Sequence, residues 1–199
     1  MKNFTHLIFL LLVTFSFGCA GNYKAISPKK LEYHYTEENG GVSLSYRYDV
    51  LSLKGNRRYA KKEDKRDIKV VAVKVTNNTD TTLSFSQDLN WEQGNREIIP
   101  LDPTVVGKKI KQTVPTYLFY LPLTLTLSTT TLPIGIPIAV GNMIVAGSSN
   151  KNFREELHQY NLSGKKIEPG QTVYGIISID ATQTAPIRLV RKESIITQR

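Results

Sequence analysis

The sequence predicts a mainly β chain, an antiparallel β-sandwich carrying an apolar, partly α-helical insertion at about residues 104–166. Three observations predict it. Six or seven short segments rich in β-branched residues are separated by clusters of Gly, Pro and Asn, the spacing of a two-sheet fold. From Gln112 to Asn150, 39 residues pass without Asp, Glu, Lys, Arg or His, in a chain that is 22% charged. The single cysteine, Cys19, rules out a disulfide framework within the chain, so the fold must be held by its apolar core.

Residues 1–18 are the first element. Met1, Lys2 and Asn3 precede an apolar run at 7–17, and the small Gly18 stands before Cys19, the layout of an export signal. The run is too short to span a hydrocarbon layer of ~30 Å, which takes ~20 residues. Ser16-Phe17-Gly18-Cys19 resembles the lipobox of bacterial lipoproteins, with Phe17 where a smaller residue is usual, as in the relaxed forms found in the Bacteroidota. The resemblance implies cleavage between Gly18 and Cys19, a covalent palmitate-type lipid on Cys19, and a cell-envelope location anchored through that lipid. Ala20, which is not acidic, implies the outer membrane by the same analogy. A plain secretory signal, or an N-terminal membrane anchor, with an incidental cysteine is the alternative the residues leave open. Two or more acyl chains anchor a protein stably where one does not. Residues 19–30, with Gly21, Asn22, Ser27, Pro28 and little periodicity, read as a flexible tether leading to a domain at 31–199.

The strands come next. Residues 42–50 alternate apolar and polar, the mark of a half-buried strand. Residues 31–36 are a weaker candidate before the turn cluster at 37–41. Residues 68–76 (IKVVAVKVT) are apolar on both faces, as a central strand would be. Asn77-Asn78-Thr79-Asp80 then predicts a turn back into a strand carrying Leu83 and Phe85, a β-hairpin. Residues 97–101, 172–180 and 186–196 supply the remaining strands. Trp91 reads as a core or rim residue. Val75-Thr76-Asn77-Asn78-Thr79 and Glu168-Pro169-Gly170-Gln171-Thr172 resemble stretches of the small immunoglobulin-like modules of exported bacterial lipoproteins. That resemblance implies an immunoglobulin-like form of the sandwich.

The insertion has two apolar arms, 117–127 and 132–146, interrupted by Pro122, Pro133 and Pro137, and neither is long enough to cross a membrane. Ala139, Met143, Ala146, Asn150, Phe153, Leu157 and Tyr160 recur at helical spacing and predict an amphipathic helix over 137–160. Three readings fit the insertion. It packs on the sandwich, it dips into the outer leaflet beside the lipid, or it forms a self-association or partner surface. The membrane and partner readings use Leu118, Phe119, Leu121, Ile134, Ile136, Ile138 and Met143. Lys108, Lys109, Lys111, Lys151 and Arg154 would then meet head-group phosphates.

The formal net charge of +9 argues for anionic neighbours, or for no more than solubility. The densest basic stretch, 54–69, reads as a solvated loop in which Arg57, Arg58, Lys61, Lys62, Lys65 and Arg66 are candidates for contact with an anionic surface. The export signal excludes nucleic acid as a partner. No catalytic residues and no metal ligands are singled out. His34 and His158 are the only histidines after the signal, and Glu155-x-x-His158 lacks the second copy that a di-iron site requires. No G-x-S-x-G elbow, Walker loop or H-E-x-x-H occurs. The function expected is a non-enzymatic binding or scaffolding module of the envelope, its partner the membrane, an envelope protein or an anionic polymer. The alternative is a hydrolase of an envelope polymer.

Overall fold

The computed structural model describes residues 20–127 and 130–192. Cys19, Gly18 and the rest of the expected signal lie outside the described residues. The chain divides into two compact units, a larger one of residues 24–111 and 153–199 and a smaller one of residues 1–23 and 112–152.

In the larger unit the principal sheet has four antiparallel strands in the order β1-β2-β3-β10: Tyr35–Asn39, Val42–Arg47, Ile68–Asn77 and Thr172–Asp180. A second sheet has the order β11-β5-β6: Ile187–Arg191, Leu89–Gln93 and Arg96–Ile98. β4 (Leu83–Ser84) pairs with β9 (Lys166–Ile167). β1 and β2 are joined by Gly40 and Gly41, both at positive φ, the two-residue turn that matches strand twist.

Alternation explains where each strand puts its side chains. Val71, Val73 and Val75 of β3 join Val42, Leu44 and Tyr46 of β2 in one buried cluster with Leu89 and Trp91 of β5 and Ile187 and Leu189 of β11. One core is therefore built from both sheets. The other face of β3 carries Ile68, Val70 and Ala72, also fully buried. Two helices pack against β3, α1 (Val50–Leu53) and α2 (Arg57–Lys65). This double cover is why residues 68–77 are apolar on both faces.

Several expectations are corrected. Strand (~30%) and helix (33%) are near equal, so the fold is mixed and rich in antiparallel sheet rather than mainly β. Residues 57–65 form α2 instead of a loop, because Tyr59, Ala60 and Glu63 fall on one helical face and are buried there. The first strand is 35–39 rather than 31–36. The hairpin from β3 into β4 does not form: β3 pairs with β2 and β10, and β4 with β9. Asn77 redirects the chain. Its fully buried amide donates to the carbonyls of Thr81 and Ile167 and accepts from the Thr79 N–H and hydroxyl. Residues 24–30, assigned to a flexible tether, are held in place. Ile26 is fully buried, and the Glu156 carboxylate accepts from the N–H groups of Ile26 (2.9 Å) and Ser27 (2.8 Å).

The long helix α4 (Gly135–Gln159) follows α3 (Pro103–Lys109) in the chain and begins two residues before the sequence-based estimate. It belongs to the smaller unit up to Asn152. There it is preceded by a 3-10 turn, Val114–Tyr120, and by a short hairpin of β7 (Leu125–Leu127) and β8 (Thr130–Leu132). Gly135 starts the helix against the backbone of Tyr120, Leu121 and Leu123, where no Cβ would fit.

Candidate membrane and anion-contact surfaces

The smaller unit is organised by polar side chains on an otherwise apolar helix. The buried Gln112 side chain exchanges two hydrogen bonds with the backbone of Gly21, accepting from its N–H and donating to its carbonyl. Asn150 does the same with the backbone of Gln112, at 2.7 and 2.9 Å. Ser149 accepts from the Tyr23 N–H and donates to the Gly21 carbonyl, both at 3.1 Å. Asn142, two turns earlier on α4, accepts from the Ala20 N–H. Residues 20–23 are thus held by the side chains of Asn142 and Ser149 on α4 and of Gln112 ahead of it in the chain.

The same helix has two apolar faces in its first half. Ala139 and Ala146 are buried, on the stripe that the sequence pattern identifies. Ile136, Val140 and Ile144 recur every fourth residue and are exposed, Ile144 by 66%. A helix that is apolar all round normally has every face covered. Phe119, exposed by 82%, and Leu118, Leu121 and Leu132 add to the exposed apolar surface of this unit. Contiguous exposed apolar surface is the usual mark of a membrane or protein contact. Of the side chains expected to make such a contact, Leu118, Phe119, Leu121 and Ile136 are exposed, and Ile134, Ile138 and Met143 are half-buried. The reading missed Leu132, Val140 and Ile144; the last two continue the four-residue spacing from Ile136 and were legible in it. Among the described residues, no helix is long and apolar enough to cross a membrane.

In the larger unit, α2 brings the six basic candidates together. Arg57, Lys61, Lys65 and Arg66 are exposed, and Arg58 and Lys62 half-buried. Lys62 is held below its ordinary range, first by burial and then by the nearby charges of Arg66, Lys111 and Lys65. Glu63 and Asp64, the acidic residues within α2, are engaged elsewhere. Glu63 is buried, its carboxylate accepting from the Val70 N–H, and burial pushes its pKa up to about 7 against the lowering effects of that bond and of Lys69. Asp64 pairs with Lys69 at 2.7 Å.

Two clefts in the larger unit hold the remaining candidates for chemistry. One, of about 410 Å³, is lined by Asn90, Glu97, Asp102, Asn161 and Lys192 among apolar neighbours that include Trp91. Trp91 is stacked on Phe85 and buried, so it serves the core. Lys192 donates to the Ser86 carbonyl. Asp102 caps α3 by accepting from the N–H groups of Thr104 and Val105, which hold its carboxyl below the usual carboxylate range. Lys192 and Asp102 are thus engaged by backbone groups close by. The second cleft is lined by His34, Arg47, Tyr48 and Asp49, with Arg47 donating to the Glu32 carbonyl. His158 lies 3.5 Å from the Thr104 hydroxyl. Among the described residues, no three His, Cys, Asp or Glu side chains are gathered as a metal site.

Compared with known proteins, the chain gives no match to a family model, a curated protein or a solved structure.

Proposed function

We propose that the chain is a lipid-anchored lipoprotein of the cell envelope, a non-enzymatic binding or scaffolding module seated on the outer membrane. In this reading the two sheets form an immunoglobulin-like sandwich, Cys19 carries the lipid, and the exposed apolar side chains of the smaller unit enter the same membrane. One observation carries the reading: Ala20, which follows Cys19 in the chain, donates its N–H to Asn142 on the helix that exposes Val140 and Ile144. An acyl group on Cys19 is then tied, one residue away, to the unit that presents Phe119, Ile136 and Ile144. The absence of any charged residue from Gln112 to Asn150 fits a hydrocarbon neighbour better than a protein surface, which is usually met by some charge complementarity.

Growth with a labelled fatty acid tests the anchor. The chain should take up the label, and Cys19→Ala should abolish it. For the second contact, Phe119→Glu with Ile144→Glu changes exposed side chains and leaves the buried stripe alone. Removing one well-buried Phe or Ile contact costs ~1.5–3 kcal/mol of membrane affinity, about tenfold to a hundredfold in partition. A folded double variant that partitions onto neutral vesicles as well as the parent contradicts the membrane contact. A parent chain whose apolar surface is consumed in concentration-dependent self-association contradicts it as well.

A further inference from the structure

We infer that the basic face of α2 docks on the head groups of an anionic lipid bilayer, a contact that rests on the membrane reading above. The geometry is set by the helix. At about 100° per residue, Arg57, Lys61, Lys65, Arg58, Lys62 and Arg66 follow one another around an arc of roughly 180°. Tyr59, Glu63 and Ala60 occupy the buried arc. Asp64 falls at the boundary and is held by Lys69. No acidic side chain of the helix interrupts the basic arc, although the sequence of this stretch mixes both signs.

Helix stability does not account for the arrangement. Basic residues in the last turn, Lys62 and Lys65, complement the negative end of the helix dipole. Arg57 and Arg58 occupy the first turn, where the same dipole opposes them and where no acidic residue stands. Further positive charge converges from outside the helix. Lys111 acts on Lys62, and the Lys24 ammonium lies beside Gly55, just ahead of α2. Arg57, Lys61, Lys65 and Arg66 carry this charge on exposed side chains, which an anionic surface would complement.

The shape selects the partner. A pocket for a single phosphate needs donors that converge, whereas a convex helix face spreads them outward, toward a plane of many phosphates. Arginine forks and lysine ammonium groups suit that array, and each basic side chain near an anionic surface contributes about fivefold in affinity, the equivalent of ~1 kcal/mol.

The test uses the whole chain with Cys19→Ala, so that no acyl chain contributes, and compares vesicles of phosphatidylcholine with vesicles that also contain phosphatidylglycerol. The anionic vesicles should bind at least tenfold more strongly at about 0.1 M salt, and the excess should vanish near 1 M, where the Debye length falls from ~10 to ~3 Å. Arg57→Glu with Lys61→Glu and Lys65→Glu should remove the excess and leave binding to neutral vesicles as it was. The same three positions changed to Gln give a milder variant, should the reversal fail to fold, and should remove most of the excess. An excess that survives these changes, or none in the parent chain, overturns the inference. Binding of free inorganic polyphosphate without any preference for phosphatidylglycerol vesicles overturns it in favour of a soluble polyanion. Loss of neutral-vesicle binding with the anionic excess intact would instead overturn the apolar contact and uphold this one.

Discussion

Glu63→Gln isolates one buried carboxyl and fixes the sign of its effect on stability. Glu63 is 3% exposed, and its carboxylate accepts from the Val70 N–H near the start of β3. Burial raises its pKa from the ordinary 4.5 to about 7. Between these values the folded chain holds a proton that the unfolded chain has released, so stability contributed by the neutral acid is complete below pH 4.5 and lost as pH rises through 7. The full span corresponds to ~3 kcal/mol. Glutamine has nearly the same shape, keeps an oxygen for Val70 and cannot ionise. At pH 8 the variant should therefore be more stable than the parent by about 1–2 kcal/mol, the rest being offset by a weaker bond to Val70. At pH 4.5 the two should be nearly equal. Urea unfolding followed by the emission of Trp91, buried in the same unit, reads both conditions. Other titrating groups cancel in the difference between the two chains. Stability curves that run parallel from pH 4.5 to 8 would refute the burial argument.

Asn77→Ala should destabilise the larger unit by on the order of 2–4 kcal/mol, since it deletes four hydrogen bonds of a fully buried amide and strands their partners. Urea unfolding measures it, and a loss below about 0.5 kcal/mol would show that the amide does not fix the 77–81 turn. Glu156→Ala should loosen residues 24–30 by removing both acceptors from the Ile26 and Ser27 N–H groups. Trypsin should then cut at Lys24, Lys29 and Lys30 faster than in the parent; an unchanged rate contradicts the strap.

Alternation over 42–50 marked β2, which ends at Arg47, with Val50 opening α1. Residues 68–76 were legible from β-branched residues on both faces, residues 172–180 from the Pro169-Gly170 turn before them, and the stripe from Ala139 to Tyr160 gave α4 by its helical spacing. β5 was also readable. Leu89 and Trp91 alternate with Asn90 and Glu92, the period of a half-buried strand. α2 was read as a loop because its stretch is nearly all charge, although Tyr59, Ala60 and Glu63 recur at helical spacing. Nor could pairing be read locally at Asn77, whose turn residues resemble those of a hairpin; the Asn77–Ile167 bond that redirects the strand spans ninety residues. Composition likewise assigned residues 19–30 to a tether, because a carboxylate 130 positions away leaves no trace in the local pattern. For the contact surfaces, residue type singled out the apolar arms and the basic stretch. Which side of each faces solvent came only with the helices.

The central claim, that the apolar surface of the smaller unit lies in hydrocarbon, is tested most directly by placing a reporter where exposure is greatest. Phe119→Trp adds one indole to a chain whose other tryptophan, Trp91, is buried in the core of the larger unit. With vesicles whose acyl chains carry bromine, the added emission should shift to the blue and be quenched, while Trp91 stays constant. An added emission that neither shifts nor quenches, in a chain that is bound to the vesicles, would contradict the account.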